Sequence, residues 1–184
     1  LRSKRIYIGL LDRIVSFCKR RDYSYKFVDN EYYGTPYEEN EGISSAGVKD
    51  YMTSICNHSP RKYQVEGVYD ALKHNRKLLI SPTASGKSLM IYALVRYYVD
   101  KGKKILLVVP TTSLVEQMYK DFEEYGWDSQ SWCHKIYSGK DKTNEFPVTI
   151  TTWQSVYKLE RSFFTDYDVI IGDEAHLFKS KSLV

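Results

Sequence analysis

SPTASGKS, residues 81–88, stands between a short apolar run, KLLI (77–80), and a stretch whose residues Ile91, Leu94, Val95, Tyr98 and Val99 share one face of a helix. Strand, small-residue loop and helix, in that order, build a cradle for phosphate, because backbone N–H groups converge at a helix N-terminus where the peptide dipoles favour negative charge. Gly86 allows a backbone approach that a Cβ would obstruct. Lys87 would reach the β- and γ-phosphates, and the Ser88 hydroxyl would ligate Mg²⁺. Ser81 and Ala84 occupy positions where such loops often carry glycine, and both are small enough to keep the turn. A glycine-containing turn with a solvated lysine is written in the same letters, so the context has to decide.

Working outward, RKYQVEGVYDALKHN (61–75) carries Val65, Val68, Tyr69 and Leu72 at helical spacing. On the other side, KILLVVP (104–110) is a continuous apolar run closed by proline, as a central parallel strand buried on both faces would be. A helix follows it, with Val115, Met118, Tyr119 and Phe122 aligned. HKIYS, PVTITTW and DVIIGDEAH read as three further strands, with helical or turn-like QSVYKLERSFFTDY before the last. Together with KLLIS (77–81) as the strand before the loop, this alternation predicts an α/β domain with a mostly parallel sheet. Ligands of such sheets bind at the carboxyl ends of the strands. DVIIGDEAH ends there with two adjacent carboxylates: Asp173 would hold Mg²⁺ through its water shell, and Glu174 would orient or deprotonate the water that attacks a γ-phosphate. The plainer alternative is an exposed acidic turn. His176 either reports nucleotide state to a neighbouring element or is an ordinary surface histidine.

The 184 residues suffice for one packed domain plus an appendage, and no apolar run approaches the roughly 20 residues of a membrane span. Residues 6–21 set Leu11, Ile14, Val15 and Cys18 on one helical face ending in Lys19, Arg20 and Arg21, followed by an acidic, glycine-containing connecting stretch. The opening residues lack the features of a secretory signal, and Leu1 in place of methionine reads as a fragment boundary. Three cysteines without CxxC spacing make neither a disulfide framework nor a zinc knuckle, and Cys56 with His58 finds no second pair. The expected setting is the cytoplasm. A net charge of +4 is compatible with a polyanionic partner without requiring one. Of the 17 tyrosines, Tyr69, Tyr98 and Tyr119 fall on apolar stripes and are assigned to packing, while Tyr23, Tyr25, Tyr32 and Tyr33 lie near Arg20, Arg21 and Lys26 on what reads as a solvated basic face.

SPTASGKS, VVPTTSLVEQM, ITTWQSV and GDEAH, in that order, resemble motifs I, Ia, Ic and II of the superfamily 2 helicases, and RKYQ resembles their glutamine motif. The resemblance covers residues 60–178 and is nearest to the branch of type III restriction motors and UvsW-like phage DNA helicases. IGLLDRIVSFCKRRDYSYKF (8–27) is similar to the end of the small accessory domain that precedes the motor in that branch. This resemblance implies a RecA-like P-loop domain over residues 46–184, with residues 1–45 as appendage and linker. It implies ATP and Mg²⁺ as cofactors, with Pro82, Thr83, Ala84, Ser85, Gly86, Lys87 and Ser88 around the phosphates and Ser88 and Asp173 on the metal. Arg61 and Gln64 would recognise adenine, with Tyr63 beside the base; Thr111, Thr112, Thr152 and Gln154 would touch the backbone of a DNA partner. The implied activity is that of an ATP-dependent DNA helicase or branch-migration translocase. A restriction-system motor subunit and a nucleotide-gated DNA-binding module without turnover are the alternatives. Superfamily 2 motors close ATP against a second RecA-like domain that supplies an arginine finger, so this stretch alone is expected to bind nucleotide weakly and hydrolyse it slowly.

Overall fold

A computed structural model describes residues 11–26, 39–82, 84–137 and 145–177. Its centre is β1 (Ile105–Val109), buried at all five positions and flanked in parallel by β3 (Val148–Thr152) and β4 (Val169–Gly172). β2 (Cys133–Ile136) extends the sheet beyond β3, giving the order β2-β3-β1-β4, parallel throughout. The apolar run of β1 is continuous because helices cover both of its faces, which removes any reason for polar alternation. Leu107, Ile150 and Val109 are fully buried, each worth roughly 1.5–3 kcal/mol relative to exposure.

The helices follow from their apolar stripes. α3 (Lys62–His74) buries Val65, Val68 and Leu72, and α4 (Lys87–Asp100) buries an unbroken run from Leu89 to Val95. α5 (Thr112–Glu124) buries Val115, Met118 and Phe122, and its first turn is capped by Thr111, whose hydroxyl accepts from the Leu114 N–H. Tyr69, Tyr98 and Tyr119 pack against this core as their spacing predicts. α1 (Leu11–Arg20) lies in the basic N-terminal stretch and contributes nothing to the buried core of the described residues. Tyr23 and Tyr25 beside it are exposed, with Arg21 over the Phe17 ring; Tyr32 and Tyr33 lie outside the described residues.

Two elements differ from expectation. α2 (Ser45–Ile55) has no counterpart in the sequence reading, although Ser44 caps it by accepting from Gly47 N–H and Val48 and Met52 are buried. Its two core positions are too few to stand out from a polar, small-residue background. Conversely, residues 77–81 do not form the expected strand. Leu78 and Ile80 are 73% and 93% exposed, and the segment joins no ladder. The physical reason is the lack of a neighbour at strand spacing: a cleft of about 690 Å³ separates the segment from the outer edge of β4. The stretch 154–167 resolves into two short helices, α7 (Trp153–Val156) and α8 (Arg161–Thr165), and α6 (Ser129–Trp132) precedes β2.

Candidate nucleotide site

Residues 81–88 lead into α4 with Gly86 as its N-cap in the left-handed region at φ +76°. A Cβ there would stand 2.5 Å from Gln64 Nε2, so glycine is required by close approach as well as by conformation. Ala84 also sits at positive φ, +60°, where an L side chain is strained by about 1–2 kcal/mol. Here the residue that replaces a loop glycine adopts the glycine conformation. Ser81, the other replacement, shares a hydrogen bond between its hydroxyl and that of Ser85, tying the two ends of the loop. Pro82 is exposed, and Thr83 lies outside the described residues.

The turn before α3 grips this loop. Gln64 is buried, and its Nε2 donates to the carbonyls of Ser85 (3.1 Å) and Gly86 (3.3 Å), while its Oε1 accepts from Arg61 N–H at 2.8 Å. The Tyr63 hydroxyl donates to Ser85 O at 2.6 Å and accepts from Arg61 Nη1 at 3.1 Å. Both polar ends of the Gln64 amide are therefore engaged by the protein's own backbone. Arg61, Tyr63 and Gln64 form one unit with the phosphate loop, and the Tyr63 ring is 41% exposed.

Across the site, the end of β4 arrives beside β1 with Gly172 opposite Val108, and Asp173 N–H donates to Val108 O. Glu174 takes φ +49°, a left-handed turn held by its own N–H donating to Asp173 Oδ1 at 2.9 Å. That turn directs Glu174 Oε1 onto Lys87 Nζ, an ion pair between groups 87 positions apart in the chain. Burial pushes the Asp173 carboxyl above the ordinary range; the Glu174 N–H and the Lys87 charge pull the other way, and the Glu174 charge adds to the rise. Ser88 Oγ lies 2.7 Å from the Tyr125 hydroxyl.

The donor chemistry fits magnesium. Ser88 and Asp173 offer hard oxygen ligands, and a half-buried carboxylate with only partial compensation is one whose charge a cation would offset. Among the described residues no group of three or more His, Cys, Asp or Glu could hold a metal by itself. Cys56 Sγ and His58 Nδ1 lie 3.7 Å apart and are joined by no third such group among the described residues. Cys133 is buried, its thiol pushed up to about 12, and packs as an inert apolar group.

The remaining predicted residues gather on the other side of β1. Val109 is in register with Thr152, so Thr111 and Thr112 after β1 lie near Thr152 and Gln154 at the end of β3. Thr111, Thr112 and Gln154 are exposed there. Thr152 is buried, and its hydroxyl pairs with that of Ser155 at 2.8 Å. His176 falls in a single 3₁₀ turn, Ala175–Leu177, and its side chain lies outside the described residues. Sequence reasoning missed Tyr125, the C-cap of α5, whose hydroxyl meets Ser88 Oγ across 37 positions of chain, a contact for which the sequence carries no local signal.

Residues 57–183 match the family model described as "Type III restriction enzyme, res subunit". The ATP-dependent DNA helicase UvsW of Enterobacteria phage T4 is 33% identical across 98% of this chain and 37% of its own length. The ATP-dependent DNA helicase Hel308 of Thermococcus kodakarensis is 28% identical across 64% of this chain and 11% of its own. A crystal structure of the UvsW helicase from bacteriophage T4 superposes with a TM-score of 0.82 at 32% identity, covering 96% of this chain and 64% of that one. The chain thus spans little more than a third of the full UvsW relative, and its parallel α/β sheet matches the RecA-like domain of that helicase. The chain belongs to the family of the type III restriction enzyme res subunit.

Proposed function

We propose that this chain is the first RecA-like ATP-binding unit of an ATP-dependent DNA helicase or translocase, over residues 46–184, with residues 1–45 as an accessory appendage and linker. The observation that carries the reading is the contact of Lys87 with Glu174, which brings the phosphate-loop lysine against the acidic end of β4. In the loaded site Lys87 would turn to the β- and γ-phosphates, and the backbone N–H groups of residues 84–88 would surround them. Ser88 and Asp173 would hold Mg²⁺, which when bound would supply charge neutralisation on the phosphate oxygens. Glu174, released from Lys87, holds the attacking water and takes its proton. Arg61, Tyr63 and Gln64 set the loop and lie beside the adenine. Thr111, Thr112, Thr152 and Gln154 supply positioning contacts to a DNA backbone, and His176 couples the site to a second RecA-like domain.

Both UvsW and Hel308 are named as ATP-dependent DNA helicases, which supports DNA as the partner. The UvsW likeness runs through the N-terminal appendage as well, which favours that kind of motor over a restriction subunit. No described helix is long and apolar enough to cross a membrane, in keeping with work in the cytoplasm, here of an infected host. The test is ATP hydrolysis by the full-length protein with and without single-stranded, duplex and forked DNA. Stimulated turnover that falls about a thousandfold in Glu174→Gln is the expected result. Nucleotide binding without turnover in the parent would turn the reading to a gated binding module.

A further inference from the structure

The outer edge of β4 is open. Val169 N–H donates to Lys104 O and Asp173 N–H to Val108 O, so the odd-numbered residues of this strand direct their backbone bonds to β1. Ile170 and Gly172 alternate with them and turn their N–H and C=O groups the other way, into the cleft of about 690 Å³. Among the described residues β4 has β1 on one side and no strand on the other. Such a row of backbone donors and acceptors is a template for one more strand.

The far wall of the cleft is patterned like a strand as well. Residues 78–81 alternate exposed and half-buried positions, and residues 169–172 do the same. The covered residues of both walls turn to the same side of the sheet. Leu79 reaches α3, its side chain 3.8 Å from where a Cβ on Gly67 would stand, and Val169 and Ile171 pack against the core to which α3 and α4 belong. Leu78, Ile80 and Ile170 are exposed on the opposite side. Segment 77–81 therefore lies as a strand of this sheet would, one place removed from β4, with the cleft between them.

We propose that this cleft is the docking place of a further parallel β-strand, supplied by the chain beyond residue 184, which pairs with β4 on one side and with residues 77–81 on the other. The likeness to UvsW leaves room for it, since this chain covers 37% of that protein's length. Consecutive strands are neighbours in about two-thirds of cases, and a strand parallel to β4 needs a crossover of about a dozen residues or more. Seven residues follow Leu177 in this sequence, and Lys179, Ser180, Lys181 and Ser182 among them lack the continuous apolar run of a strand covered on both faces. The occupant accordingly comes from later in the chain. Lys87, Asp173 and Glu174 line the same cleft, so the carboxyl end of the added strand arrives beside the candidate nucleotide site.

The test uses the full-length protein. Residue-resolved hydrogen exchange should find the Ile170 and Gly172 amides exchanging within about tenfold of the Ile150 amide, whose strand has a neighbour on each side. Exchange at the rate of exposed loop amides would overturn the proposal. A photoreactive benzoylphenylalanine in place of Ile170, a side chain 60% exposed in this chain, then identifies the occupant. The expected product is a link, within one molecule, to a segment beyond residue 184. A link only to residues 77–81 or 178–184, a link between two molecules, or no link would each overturn it. The exchange measurement needs no substitution, so it stands even if the photoreactive variant fails to fold. Neither readout uses ATP: a full-length protein that shows the strand but hydrolyses nothing removes the motor reading and leaves this proposal in place.

Discussion

β3 and β4 flank the same central strand and could hardly differ more. On the β3 side every position is buried, the threonines at 149 and 151 are satisfied internally, and Tyr167 donates to Thr149 Oγ1 at 2.9 Å. On the β4 side burial alternates, Ile170 is 60% exposed, and the facing segment 77–81 presents Leu78 and Ile80 to solvent. The positive-φ residues Ala84 and Glu174, the Lys87–Glu174 pair and the displaced Asp173 carboxyl all lie on that second side. One flank of β1 is a packed scaffold, and the other keeps its strain and its charges where a ligand can use them.

The sharpest way to break this contrast is by truncation in each flank. Leu107→Ala should lower unfolding free energy by about 2–5 kcal/mol in urea denaturation, whereas Ile80→Ser should stay within about 0.5 kcal/mol. Equal losses would mean that residues 77–81 are packed as tightly as the core. Gly86→Ala comes next: a left-handed side chain costs about 1–2 kcal/mol, and its contact with Gln64 Nε2 must also be relieved. The expected result is a lower thermal midpoint together with lost nucleotide binding, measured by fluorescence titration.

Ala84→Gly sharpens the contrast from the other direction. Relief of the left-handed alanine is partly offset by the freer unfolded chain, leaving a net gain of about 1 kcal/mol or less in the same denaturation assay. Loss of stability on this change would show that the loop does not hold its strained form. The smallest effect lies away from the site, before β4. Asp168 is held below the ordinary carboxylate range by the Lys104 N–H first and then by Lys103. Its folded-state value is depressed, so its contribution is fully present above roughly pH 4 and is lost as pH falls through the folded value. The stability gap between the parent and Asp168→Asn should therefore close in acid, and a gap that widened there would reverse the assignment.

Much of this was legible because α3 and α5 express their burial directly in periodicity and β1 in a continuous apolar run, while the loop letters mark the start of α4 and the DEAH letters the end of β4. Residues 77–81 carry an apolar run as strand-like as that of β1, yet run and ladder are separate matters: a strand forms only where a partner supplies hydrogen bonds, and composition does not say who the neighbour is. α2 was illegible for the opposite reason, with two buried positions in a polar helix. In the site, the types of Lys87, Ser88, Asp173 and Glu174 announced their chemistry. The engagement of Gln64 with the loop carbonyls and of Ser88 with Tyr125 depends on long-range contacts that no local pattern encodes.

The central claim is that the loop and the end of β4 form one nucleotide site whose resting lysine is held by its own carboxylate. Titration of a fluorescent ATP analogue with Mg²⁺ into the parent, Lys87→Ala and Glu174→Gln chains tests it directly. The account predicts that Lys87→Ala abolishes binding, while Glu174→Gln binds several times more tightly than the parent because Lys87 no longer has a competing charge to leave. Equal affinity in all three would contradict it.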